Sequence, residues 1–301
     1  MGALSSGGPL LGAHVPVAGG LAKMPPRARE IGANAAQIFT RNQLQWRADP
    51  IRDEEAAAFR AALHLHPLRR LVAHGSYLVN LASPDKAALS RSREAFLADM
   101  QRCHALGVTH LVFHAGAHMG AGEDAGLTTV ARSLDWLLER SLGLAVRPVI
   151  EVTAGQGSCL AHRFEHLAVI LERTRARDRV GVCLDTCHLW AAGHDILSPA
   201  GYRRTFAEFE RLVGLGTLEL FHLNDAKQPL GSRLDRHERI GRGFLGRVAF
   251  ARLMRDARFR SVPMILETPA GMKGWGAEIR LLRALARRPS EEVRLSPHRA
   301  G

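Results

Sequence analysis

Cysteine is scarce: Cys103, Cys159, Cys183 and Cys187 are the only four in 301 residues, and no two form a C-x-x-C pair. Three of them sit in hydrophobic or strand-like context, so they read as buried thiols in a reducing compartment rather than a disulfide framework. No apolar run approaches the roughly 20 residues a membrane span needs, and no secretory signal is visible. The expected location is therefore cytoplasmic, in a bacterial cytosol, with no membrane partner. The start Met-Gly-Ala-Leu-Ser-Ser fits the myristoylation pattern, a match common by chance. No GxGxxG turn follows the first strand-like run, which weakens a dinucleotide-binding reading. Acid is also short, with 29 Asp and Glu against 41 Lys and Arg and a formal charge of +12. That excess makes a polyanion a natural partner. It is overwhelmingly arginine, which suits phosphate forks but is equally what a GC-rich genome gives.

What is present is a core-forming chain, 46% hydrophobic, in which short β-type runs alternate with long amphipathic ones. The strand-like runs are expected at 11–17, 35–40, 70–77, 110–116, 148–153, 180–186, 218–225 and 263–268. Helical periodicity follows at 85–106, 127–144, 164–175, 202–213, 244–258 and 276–287. In the first of these Leu89, Ala95, Phe96, Met100 and Cys103 recur at helical spacing. A helix over 21–32 is the weakest expectation, because Pro25-Pro26 is tolerable only in a first turn. Eight strand–helix repeats without a second composition regime predict an α/β fold, one (β/α)8 TIM barrel over 11–288. A doubly wound open sheet is the alternative. Residues 1–10 read as a loose leader and 289–301 as a polar tail.

The stretch His222–Gly243 runs from a strand-like segment into a glycine-rich polar loop carrying His222, Asp225, Asp235 and His237 among Lys227, Arg233, Arg236, Arg239 and Arg242. Imidazoles and carboxylates are ligands that zinc prefers, and the cations would hold a phosphate. Partners fall at the ends of other strands: His74, His114, Glu151, Asp185, His188 and Glu267. In a barrel these converge on the C-terminal mouth, where active sites of that fold form. One histidine at a strand end is usually structural. Nine such groups in one place, those six with His222, Asp235 and His237, would without a cation cost more than folding could repay. Nine ligands also exceed one tetrahedral ion, and three ions sharing a bridging carboxylate fit the count. His14 reads as structural, His104 and His194 as surface residues, and His118 as a residue behind the ligands or in an exposed loop. The loop Thr40–Arg47 is either an ordinary capping loop or a groove-reaching one. Tyr77 either packs on the rim or stacks on a sugar or base.

The segments GAHVPVAGGL, FTRNQLQW, HGSYLVNL, EVTAGQGS, GVCLDTCH, FHLNDAK, GSRLDRH and IGRG, with ILET at 265–268, together resemble endonuclease IV. This is the zinc-dependent apurinic/apyrimidinic endonuclease family of base-excision repair. The resemblance implies a TIM barrel with three Zn2+ per chain, manganese being admissible at one site. It implies hydrolysis of the phosphodiester 5′ to an abasic site in duplex DNA, leaving a 3′-hydroxyl and a 5′-deoxyribose phosphate. Carried over by motif, His74, His114 and Glu151 would hold one zinc. Glu151 would bridge to a second, bound also by Asp185, His222 and Glu267, and His188, Asp235 and His237 would hold the third. Glu267 and Glu151 are the expected catalytic carboxylates. Asn42, Leu44, Gln45, Tyr77, Lys227, Arg233 and Arg236 are the expected DNA contacts, and a monomer is expected.

Three positions depart from the family pattern. Gly75 replaces an aspartate, which bears on the support of His74. Val152 replaces an asparagine, and Leu44 stands where members commonly carry an arginine that enters the DNA stack. An apolar wedge can also pry base steps apart. The competing readings are a metal-dependent sugar isomerase or epimerase on a related barrel, and a non-catalytic nucleic-acid-binding barrel. The third ligand set and the charge argue against the first, and the intact ligands against the second.

Overall fold

Side chains two apart on a strand share a face, and this rule builds both the floor of the molecule and its mouth. A computed structural model describes residues 8–287. The barrel strands are β1 (Leu11–His14), β2 (Ala35–Phe39), β3 (Arg70–His74), β4 (His110–His114), β5 (Arg147–Glu151), β6 (Gly181–Asp185), β7 (Leu218–Leu223) and β10 (Met264–Leu266). They close in the order β1-β10-β7-β6-β5-β4-β3-β2, all pairs parallel. The TIM barrel expected from the pattern is thus the fold. Between β7 and β10 a small antiparallel ribbon pairs β8 (Asp225–Ala226) with β9 (His237–Glu238).

One buried cluster contains Leu10, Ala35, Val72, Val112, Val149, Cys183, Leu220 and Ile265. These residues plug the barrel interior. Two residues further along the same strands stand Gln37, His74, His114, Glu151, Asp185, His222 and Glu267. Parity alone therefore lays a ring of polar groups on top of an apolar plug.

The outer layer holds α1 (Met24–Glu30), α2 (Asp53–Leu65), α3 (Lys86–Leu106), α4 (Glu123–Arg140), α5 (Phe164–Arg173), α7 (Pro199–Leu212), α8 (Gly246–Arg255) and α9 (Gly271–Arg287). Pro25 and Pro26 occupy the first turn of α1, where a missing N–H costs nothing. Asp85 caps α3 by accepting from the Ala88 N–H at 2.7 Å, and Gly107 ends it in the left-handed conformation. A short helix, α6 (Thr186–Ala192), was not expected. It starts where β6 stops, so His188 lies in its first turn and not on the strand.

Two residues of the expected leader contact the barrel. Leu10 is buried, its carbonyl accepts from Met264 N–H at 2.8 Å, and Pro9 O accepts from Asn34 Nδ2 at 3.1 Å. Residues 1–7 of that leader, and the expected tail, lie outside the described residues.

Gly12 shows how tightly β1 and β2 are joined. A Cβ there would fall 1.8 Å from the carbonyl oxygen of Ala35 and 2.4 Å from its carbon. Neither atom can move without breaking the strand pair. Gly12→Ala should cost about 1–3 kcal/mol, as overpacking does, and lower the melting temperature by about 2–5 °C. A calorimetric scan showing no change would contradict that packing.

Candidate metal centre

Glu151, at the end of β5, is the centre of the ring and has no solvent exposure. Its two oxygens face different groups. Oε2 lies 3.1 Å from both His74 Nε2 and His114 Nε2. Oε1 lies 2.9 Å from His222 Nδ1 and 3.2 Å from His188 Nδ1. Glu267, just past β10, brings Oε2 to 3.4 Å from His222 Nδ1. A further group forms where α6 meets the β8–β9 ribbon. Asp235 places Oδ2 3.1 Å from His188 Nε2 and Oδ1 3.1 Å from His237 Nε2, and Asp185 Oδ2 is 3.7 Å from His237 Nε2. All nine expected ligands thus meet at one mouth. Asp185 falls with His188 and His237, whereas the family pattern groups it with His222 and Glu267.

The imidazoles are aimed by their outer nitrogens. His74 Nδ1 donates to Gly75 O at 2.8 Å, and His188 Nδ1 to Val152 O at 2.8 Å. His222 Nε2 donates to Gln37 Oε1 at 2.8 Å, and His237 Nδ1 is 3.4 Å from Glu267 O. Such contacts fix the tautomer and leave the other nitrogen for a cation. They also settle two of the sequence departures. The groups that steady His74 and His188 are main-chain carbonyls of Gly75 and Val152, which any side chain would leave in place. The loss of a carboxylate at Gly75 therefore does not remove the support of His74.

Charge is balanced internally. Burial works to raise Glu151, yet the imidazoles of His222 and His114 hold its carboxyl well below the usual range. Glu267 and Asp235 are likewise lowered against the opposing effect of burial, by His222 and His14 in the first case and by His188 and His237 in the second. His188 and His222 are raised against their burial, His188 by Asp185 foremost and His222 by its contacts with the Cys183 thiol and the Glu151 carboxylate. His237 is pushed up to about 9 with Asp185 and Asp235 beside it, again against burial. A metal ion held by these imidazoles would neutralise the same carboxylates, in competition with protons. Buried His188 Nε2 and His237 Nε2 make no well-directed hydrogen bond although carboxylate oxygens lie 3.1 Å away. Nitrogens and oxygens that converge without bonding one another fit a cation between them. The donor set of imidazoles and carboxylates suits zinc.

Several residues differ from their expected places. Gln37 and Asn224 were missed. Gln37 Nε2 donates to Glu267 Oε1 at 2.5 Å and contacts His14 Nδ1 at 2.9 Å. Asn224 Nδ2 donates to Asp185 Oδ2 at 2.6 Å while its Oδ1 accepts from the Glu267 N–H. A polar residue at the inward parity of a buried strand was the available signal for Gln37. His14, expected to be structural, borders the centre, its Nδ1 3.3 Å from Glu267 Oε1. His194 is not a surface residue; it is half-buried, its ring stacked 4.2 Å from that of Phe164. His104 is exposed, and His118 is half-buried with Nδ1 accepting from Gly122 N–H.

Asp225, one of the candidates in the His222–Gly243 stretch, serves the loop instead. Its carboxylate accepts from the N–H groups of Ala226, Gly241, Gly243, Leu245 and Gly246 at 2.8–3.2 Å. A second His–Glu group, Glu123 with His162 and His166, is already filled by Arg163. That guanidinium is 2.5 Å from Glu123 Oε2 and donates through Nε to His166 Nε2 at 3.1 Å. Around the mouth Leu44 is 67% and Tyr77 55% exposed. Asn42, Gln45, Lys227, Arg233 and Arg236 are exposed as well. The Tyr77 ring stands 5.6 Å from that of His74.

This architecture defines a class, and comparison agrees: the model of the xylose isomerase-like TIM barrels matches residues 25–285. A "Probable endonuclease 4" of Chloroflexus aurantiacus is 47% identical over 263 residues, covering 87% of this chain and 92% of that one. The crystal structure of endonuclease IV from Thermus thermophilus superimposes with a TM-score of 0.80 at 32% identity, covering 92% of this chain and 98% of that one. A 3-keto-D-glucoside 4-epimerase from E. coli, with a TM-score of 0.66 over 91% of this chain and 99% of that one, is only 13% identical and shares the fold alone. The chain belongs to the endonuclease IV family.

The contrast between two aspartates in one loop is testable. Asp235→Asn should remove about one metal ion per chain, since a site with fewer anionic ligands binds more weakly. Asp225→Asn should keep the metal content and lower the melting temperature, because a neutral amide cannot accept all five N–H groups. Elemental analysis and calorimetry on both variants check this, and metal loss in Asp225→Asn alone would reverse the assignment.

Proposed function

We propose that this protein is a DNA-repair endonuclease that hydrolyses the phosphodiester bond 5′ to abasic sites in duplex DNA, leaving 3′-hydroxyl and 5′-deoxyribose phosphate ends. The observation that carries the reading is the buried Glu151, each of whose oxygens serves a different set of ligands, as a carboxylate shared between two metals would. His74 and His114 would complete one site, His222 and Glu267 a second, and His188, Asp235 and His237 a third, with Asp185 between the last two. Three zinc ions fit this set, with manganese admissible at one. When bound, they would polarise the phosphate and make water acidic enough to attack it near neutral pH.

The chain's own groups account for the rest. Gln37 holds Glu267 Oε1 and leaves Oε2 facing the centre. Glu267 can then orient the attacking water and take its proton. Asn224 keeps Asp185 and Glu267 at a fixed spacing through one amide. Exposed Lys227, Arg233 and Arg236 can grip backbone phosphates, and Leu44 and Tyr77 can fill the gap at a missing base. The excess of positive charge fits a polyanion better than a small sugar. An epimerase reading gains only the fold from its structural likeness. No helix among the described residues is long and apolar enough to cross a membrane. A monomer acting in the cytosol is part of the proposal.

The direct test is incision of a duplex holding one abasic analogue, with the cut mapped. A break on the 5′ side with a 3′-hydroxyl supports the proposal; no incision by metal-loaded protein rejects it. Glu267→Gln should bind that duplex within about tenfold of the parent while incision falls by roughly 10² to 10⁴, the usual worth of a general base. Near-normal turnover would remove Glu267 from the chemistry.

A further inference from the structure

A wedge must be held as well as exposed. Leu44 sits in the connection from β2 to α2, and a free loop there would have to be ordered each time DNA bound, which weakens binding. The structure shows this loop tied down from outside the metal centre. Arg102, half-buried on α3, donates through Nε to Thr40 O at 3.1 Å, and through its terminal nitrogens to the carbonyls of Thr40 and Asp49. Those carbonyls lie on either side of Leu44. Arg41 turns from the loop back to the same helix. Its Nε and Nη2 donate to the two oxygens of Asp99 at 2.5 and 3.1 Å, and Nη1 donates to Gln45 O. The paired side chains are only 5% and 2% exposed.

Two more contacts complete the hold. Ser76 Oγ donates to Gln43 O at 2.7 Å and accepts from Leu78 N–H at 3.2 Å, which joins the loop to the turn that presents Tyr77. The Arg91 guanidinium lies 4.2 Å from the Trp46 ring centroid. At the tip, Leu44 N–H donates to Asn42 Oδ1 at 2.9 Å. Carbonyls of Thr40, Gln43, Gln45 and Asp49 are thus all engaged, while the Leu44 side chain is left in solvent.

Asp99 stands in the apolar face of α3, between Phe96, Met100 and Cys103, all buried. Burial pushes its carboxyl up and Arg41 draws it back. A buried ion pair is a poor way to gain stability, since desolvation offsets the attraction. Its two-pronged geometry does fix direction.

We propose that Arg41, Asp99 and Arg102 are positioning residues that pre-shape the Thr40–Asp49 loop, so that Leu44 enters the gap at an abasic nucleotide without prior ordering. This rests on the abasic-duplex reading above and adds to it the source of damage discrimination. The hydrogen bonds of the three residues run to one another's loop and helix and to none of the nine metal-centre side chains, so they act through Leu44.

A double-mutant cycle on the metal-loaded protein tests it. Binding to abasic and intact duplexes, and the single-turnover incision rate at saturating abasic DNA, are measured for the parent, Leu44→Ala, Arg102→Met and the double variant. Leu44→Ala should weaken abasic binding about tenfold, the scale of one lost stacking contact. Arg102→Met should weaken it about fivefold by loosening the loop, with the saturated incision rate and the binding of intact duplex changed less than about twofold. In the Leu44→Ala background Arg102→Met should then have almost no effect, and Arg102→Lys, which keeps one donor group, should recover part of the loss. Asp99→Asn, which keeps the volume but drops the charge facing Arg41, repeats the cycle from the other side should Arg102→Met fold poorly. Additive losses, equal losses on intact duplex, or a neutral Leu44→Ala would each overturn the inference. A neutral Leu44→Ala with abasic incision intact would do so while leaving the nuclease reading standing.

Discussion

A carboxylate without solvent contact, enclosed by four imidazoles, is the constraint on which the rest of this structure depends. An isolated buried carboxylate would cost several kcal/mol even after the protein relaxes. At Glu151 that cost is offset only because His74, His114, His188 and His222 arrive from β3, β4, α6 and β7. Four elements must therefore close around one residue, and the barrel is the scaffold that brings them there. Three of the four imidazoles, His74, His188 and His222, are in turn oriented by Gly75 O, Val152 O and Gln37 Oε1.

The same constraint explains how much could be read in advance. Strand ends that carry His, Asp or Glu after a run of apolar residues are conspicuous, and parity in a parallel barrel leaves them little choice but the mouth. His74, His114, Glu151, Asp185, His222 and Glu267 were legible on that basis. His188 was legible as a residue but not as a place, because the chain turns from β6 directly into α6 and no breaker marks the change. Asp225 and Asp235 are alike in a one-dimensional reading. Only the folded loop shows that five backbone N–H groups claim the first and two imidazoles the second. Gln37 and Asn224 were missed for a related reason: amides in strands are usually structural, and what they support becomes visible only when strands distant in sequence are set side by side.

The departures from the family pattern sort by whether a side chain or the main chain does the work. At Gly75 and Val152 the carbonyl acts, so the substitutions leave the ligands aimed as before. At Leu44 the side chain itself faces solvent, and under the proposed function an apolar group there acts by shape. A wedge of that kind gains more from rigidity than an arginine does, because it has no phosphate to reach for. The buried Arg41–Asp99 pair and the grip of Arg102 are the features proposed to supply it. Charge on the rim comes from the exposed Lys227, Arg233 and Arg236, the proposed contacts to a phosphate backbone.

The central claim is that Glu151 is shared between metals. Anomalous diffraction at the zinc absorption edge, from crystals of protein purified without added metal, tests this most directly. The account predicts three anomalous peaks within the mouth, two of them each in contact with a different oxygen of Glu151 and the third between His188, Asp235 and His237. A single peak, or peaks that leave one Glu151 oxygen without a metal, would contradict it.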